Sequence, residues 1–135
     1  MPDEPTARDR DVIFVYGTLR SEFANAFARR LRDEADLLGR ANVQGSIFLV
    51  AAYPGYQREP DGIVRGELWR LRDPGKTLAA LDDYEGPEYS RVLVDVTPIT
   101  AMRAEPPSPR CAWIYRYDRE VHADSRIASG DFLAR

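Results

Sequence analysis

Cysteine and histidine are almost missing from this chain of 135 residues, which has one of each, Cys111 and His122. One cysteine excludes an internal disulfide, and a single Cys/His pair cannot build a zinc cluster, so metal chemistry would have to rest on carboxylates alone. Long apolar runs are missing too. Nothing approaches the ~20 residues of a membrane-spanning helix, and the opening MPDEPTARDRD is polar and acidic where a secretory leader is basic and then apolar. The expectation is a cytoplasmic protein with no membrane partner. Neither sign of charge prevails, since 19 Lys and Arg face 22 Asp and Glu for a net charge of -3. They are interspersed, which argues against a nucleic-acid partner. The densest basic stretch, Arg29, Arg30 and Arg32, is followed at once by Asp33, Glu34 and Asp36 and reads as a solvated helix face.

What remains is the composition of one globular domain, 44% hydrophobic and 30% charged. Residues 1–10 lack apolar periodicity and are expected to form a disordered tail, leaving 11–135 as a single domain. The run Val12 to Tyr16 is apolar, β-branched and aromatic throughout, the pattern of a strand buried on both faces, and Gly17 ends it. Phe23, Phe27 and Leu31 then recur every four residues behind Ser21 as N-cap, which predicts a helix over 22–38 stopped by Gly39. A strand with a bend at Gly45 is expected over 41–51, followed by a turn at Tyr53-Pro54-Gly55. Alternation predicts a strand over 62–71, and Pro74 to Glu85 a short helix that Gly86-Pro87 cannot continue. Two further strands cover 89–97 and 111–117, separated by the Pro-rich connection 105–109. About five strands and two helices, neither alternating nor segregated, define an α+β chain whose mixed sheet curls into a small β-barrel with flanking helices.

Two segments carry residues suited to chemistry. Tyr16-Gly17-Thr18-Leu19-Arg20 joins a buried strand to a helix; glycine there permits positive φ, and successive N–H groups at such a turn can cradle an anion. An isolated Tyr-Gly-Thr is more often a plain turn. Leu81-Asp82-Asp83-Tyr84-Glu85-Gly86 places three carboxylates at the negative end of a helix, where mutual repulsion and burial would lift one of them toward the range of a general base. The ordinary alternative is that all three point into water. Trp113, Tyr115 and Tyr117 share a strand face, more often core than pocket wall. His122 reads as a surface residue and Cys111 as a small buried hydrophobe.

Taken together and in order, these residues resemble the gamma-glutamylcyclotransferase-like superfamily. Phe14-Val15-Tyr16-Gly17-Thr18-Leu19-Arg20 is similar to its Tyr-Gly-Ser/Thr-Leu loop, Tyr53-Pro54-Gly55 to its Tyr-Pro-Gly turn, and Val64-Arg65-Gly66-Glu67-Leu68-Trp69 to its Val-x-Gly-Glu strand. Leu81 to Gly86 with Tyr89-Ser90-Arg91 resembles the segment holding the family's catalytic glutamate, which falls on Glu85. Ser129-Gly130-Asp131-Phe132 resembles a Gly-Asp-Trp ending with Phe in place of Trp. The resemblance covers residues 12–132 and implies a cofactor-free enzyme acting on a small-molecule γ-glutamyl substrate. The substrate's α-amine attacks its own side-chain carbonyl, expels an amine or amino acid and closes 5-oxoproline. It further implies Glu85 as the acid/base residue and a substrate-binding loop of Tyr16, Gly17, Thr18 and Leu19, with Tyr89 and Tyr115 expected beside it. Whether the loop grips the carboxylate or the oxyanion stays open. Two other readings also stand: a non-catalytic binding module for a small carboxylate on the same fold, and a carboxylate-metal hydrolase that a chelator would silence.

Overall fold

In the computed structural model, residues 9–17, 25–50, 53–99 and 111–134 are described. The strands are β1 (Val12–Val15), β2 (Ala35–Gln44), β3 (Ser46–Val50), β4 (Tyr53–Gln57), β5 (Ile63–Leu71), β6 (Tyr89–Asp95), β7 (Thr97–Pro98) and β8 (Cys111–Tyr117), with helices α1 (Ala26–Glu34) and α2 (Pro74–Glu85). They form one mixed sheet in the order β3-β4-β8-β1-β5-β2-β7, with β6 antiparallel on β8. The α+β fold with a curled sheet and two flanking helices is as expected from the sequence. Among the described residues the sheet stays open, with β3 and β7 at the two ends of its path.

β1 shows why its sequence is apolar at every position. Val12 and Phe14 enter the core inside the curl with Val64, Leu68 and Ile114, while Ile13 and Val15 face Leu31 of α1 and Leu78 and Leu81 of α2. A strand with apolar partners on both faces has no position for a polar side chain. Glu67 on neighbouring β5 is a buried exception, accepting a hydrogen bond from Trp69 Nε1 at 3.2 Å.

Several boundaries differ from those read in the sequence. The first helix ends at Glu34, four residues early, because Ala35 already pairs with Leu71 of β5. The Arg72 N–H donates to the Glu34 carbonyl at 3.1 Å, so sheet pairing outweighs helical propensity. Gly39 lies inside β2 at a register shift, with φ +149. Asn25 is the N-cap, its Oδ1 accepting from the Ala28 N–H at 2.8 Å; Ser21 and residues 22–24 lie outside the described residues. Tyr53-Pro54-Gly55 is not a turn but most of β4, with Pro54 opposite Leu49 of β3. The predicted strand over 41–51 divides at Gly45, whose φ of +142 makes the bend. Among the described residues the strands number eight and not about five, since the strand over 41–51 divides and β4 and the short β7 carry no alternation long enough to read. Asp9–Asp11 form a 3-10 turn, and the Arg10 carbonyl accepts from Trp113 Nε1 at 2.8 Å. Residues 1–8 and the Pro-rich connection 105–109 lie outside the described residues.

The sheet forks at β8. β1 pairs in parallel with β8 at Trp113, and β4 pairs in parallel with it at Arg116. The Tyr16 hydroxyl bridges the gap, donating to the Tyr115 carbonyl at 2.7 Å and accepting from the Tyr56 N–H at 3.0 Å. A phenol thus replaces the ladder bonds that the diverging strands cannot make.

Candidate active site

A cavity of about 430 Å³ opens beside this fork, walled by the end of β1, β4, the last turn of α2, and β6 and β8. Glu85, the final residue of α2, contributes the carboxylate, and Gly86 makes its placement possible. With φ 86 and ψ -179, Gly86 occupies a region open almost only to glycine, so the helix stops there and the chain turns back into β6. The Gly86 N–H donates to the Asp82 carbonyl at 3.3 Å.

Burial in this cavity lifts Glu85 from its ordinary value of 4.5 to about 7. Desolvation is the cause, and the expected repulsion from Asp82 and Asp83 is not. Asp82 instead faces outward into hydrogen bonds. Partial burial would raise it, but Arg91 and Tyr115 outweigh that and hold it below its ordinary value. Asp83 is exposed. The carboxylate cluster therefore separates into one half-buried side chain and two exposed ones.

Tyr16, Gly17, Tyr89 and Tyr115 line the same cavity as Glu85. Thr18 and Leu19 lie outside the described residues. The hydroxyls of the three tyrosines are engaged with the protein: Tyr16 at the fork, Tyr89 donating to the Pro54 carbonyl at 3.1 Å, and Tyr115 donating to Asp82 Oδ1 at 2.7 Å. Burial first raises all three and keeps them neutral, followed by the charge of Glu85 for Tyr16 and Tyr89 and by the hydrogen bond to Asp82 for Tyr115. Gly17 does not use positive φ. It allows close approach, because a Cβ there would lie 2.9 Å from Pro54 Cγ. Helix α1 also begins at Ala26 and not directly after the loop.

Asn25, Tyr53, Pro54 and Tyr84 line the cavity as well, although the sequence pattern does not mark them as site residues. Tyr84 is legible in principle, being next to Glu85; its ring stacks on Phe27 with centroids 4.0 Å apart. Tyr53 and Pro54 are hidden by their likeness to a turn. Among the described residues, no three His, Cys, Asp or Glu side chains gather as metal ligands.

A half-buried glutamate at a helix end over a mostly apolar cavity is the kind of arrangement in which small-molecule sites are commonly found. The family model described as "Gamma-glutamyl cyclotransferase, AIG2-like" matches residues 13–134, and the chain belongs to that family. The gamma-glutamylcyclotransferase family protein YtfP of Escherichia coli K12 is 35% identical over 126 residues, covering 91% of this chain and 96% of that protein. The solution structure of E. coli ytfP aligns with a TM-score of 0.64 at 31% identity, covering 90% of this chain and 96% of that one. The mouse AIG2-like protein gives 0.67 at 22% identity over 85% of this chain and 81% of that one, a likeness of fold.

Proposed function

We propose that the protein is a γ-glutamylcyclotransferase that releases 5-oxoproline from a γ-glutamyl amine or amino acid, with Glu85 as general acid and base. The observation that carries this reading is the Glu85 carboxyl in the cavity, raised by burial to about 7. A base with that value is half ionised near neutrality, where proton acceptance and donation are both accessible. The α-ammonium of the substrate gives one proton to Glu85, and the freed amine attacks the γ-carbonyl carbon. As the tetrahedral carbon collapses, the bond to the leaving nitrogen breaks and Glu85 returns its proton to that nitrogen. The second proton lost by the new ring nitrogen ends on the released amine. Nucleophile and electrophile are in one molecule, so the protein has chiefly to hold a ring-closing pose. Tyr89 is suited to this role, because its hydrogen is engaged with Pro54 and its oxygen is left to accept from the ammonium. The loop 16–19 is the proposed grip on the carboxylate or the oxyanion.

The test is incubation with a panel of γ-glutamyl amino acids and amines, with 5-oxoproline measured. Release that disappears in Glu85→Gln supports the reading. Saturable binding of the panel compounds without release would favour a binding module instead.

A further inference from the structure

Helix ends fray, and α2 carries Glu85 on its last residue. Something must hold that turn. The side chain one turn earlier, Asp82, is gripped from the sheet: Arg91 Nε donates to Oδ1 at 2.8 Å and Nη2 to Oδ2 at 3.1 Å, while the Tyr115 hydroxyl donates to Oδ1 at 2.7 Å. Arg91 on β6 and Tyr115 on β8 are direct cross-strand partners, so their side chains leave the same face and converge on one carboxylate. The guanidinium is itself seated, lying 4.3 Å over the Trp113 ring, whose Nε1 is tied to the Arg10 carbonyl. On the main chain, the Asp82 carbonyl receives the Gly86 cap. Asp82 thus fixes both ends of the turn that delivers Glu85. The Asp82 side chain is 43% exposed and that of Arg91 23%. An ion pair this open contributes little to overall stability. Its geometry does more for orientation.

We infer that Arg91 and Tyr115 are positioning residues for Glu85, acting through Asp82 as a latch that holds the last turn of α2 against β6 and β8. Their catalytic meaning rests on the cyclisation reading above. The latch itself does not, and the experiment separates the two. Arg91→Met keeps a stem over Trp113 and removes the fork; Tyr115→Phe keeps the ring in the cavity wall and removes only the hydroxyl.

With a substrate found by 5-oxoproline release, each variant should lower kcat by ~10-fold or more and leave KM within about two-fold, with the thermal midpoint nearly unchanged. Arg91→Lys should restore only part of the loss, because an ammonium cannot take both carboxylate oxygens. Made in an Asp82→Asn background, Arg91→Met should add little, the non-additivity of groups acting through one partner. Hydrogen exchange at the Gly86 N–H should quicken by ~10-fold in Arg91→Met while β1 amides stay protected. A kcat for Arg91→Met within about two-fold of the parent overturns the inference. If the parent releases no 5-oxoproline, the cyclisation reading fails alone, and unchanged Gly86 exchange overturns the latch. Should Arg91→Met not fold, Tyr115→Phe is read in the same two ways.

Discussion

Glu85 titrates near 4.5 when unfolded and near 7 when buried in the folded protein, so folding favours its protonated form. The stability this group provides is complete below about 4.5, declines as pH rises between the two values, and is lost above about 7. Glu85→Gln mimics the protonated form at every pH. It should therefore unfold at a higher temperature than the parent at pH 8, by the equivalent of roughly 3 kcal/mol, with the gap closing near pH 4. The same variant should lose ~100-fold or more in turnover while binding substrate almost normally. Asp83→Asn, an exposed neighbour, is the matched control and should keep full activity. In the parent, kcat/KM should rise with pH and level off above about 7 as the base ionises. The place of this glutamate at the end of a helix was legible from its motif, and so was burial as one of the two causes expected to raise it; the other, repulsion, does not contribute. Three adjacent carboxylates suggest repulsion, and only the fold reveals that Arg91 and Tyr115 draw Asp82 away while α2 drives Glu85 inward.

At the scale of elements, the stop at Gly86 and the contact at Gly17 constrain the site for different reasons. Nothing lies within 4 Å of a Cβ built on Gly86, so Gly86→Ala meets no clash. Its cost is conformational, of order 1–3 kcal/mol, and Asn should rescue it poorly because this region excludes Asn as well. Gly17→Ala has an ordinary φ but pushes into the Pro54 ring at 2.9 Å. It should cost about 1–3 kcal/mol by overpacking and impair turnover by displacing a wall of the cavity. Urea melts of the two variants, read beside activity, distinguish these causes. Strong periodicity made β5, α2 and β8 readable in the sequence. The end of α1 and the nature of β4 were not, because Ala35 leaves the helix to pair with Leu71, and Pro54 finds a place in β4 opposite Leu49. Both outcomes are decided by partners distant in the chain.

For the whole molecule, the fork at β8 is the feature with the widest reach. Tyr16→Phe would leave the buried Tyr56 N–H without its partner, which should destabilise the protein by about 1–3 kcal/mol in equilibrium unfolding. The two bonds made by that hydroxyl join residues 99 and 40 positions apart. Such long closures are expected to form after local hairpins such as β3–β4. The strands that these bonds join wall the cavity, so the order of assembly and the completion of the site are tied together. On refolding from denaturant, recovered activity should follow the slowest structural phase and none of the faster ones. In Tyr16→Phe that phase should lengthen only if the bridge is already present at the rate-limiting barrier; if it closes afterwards, the variant should instead unfold faster.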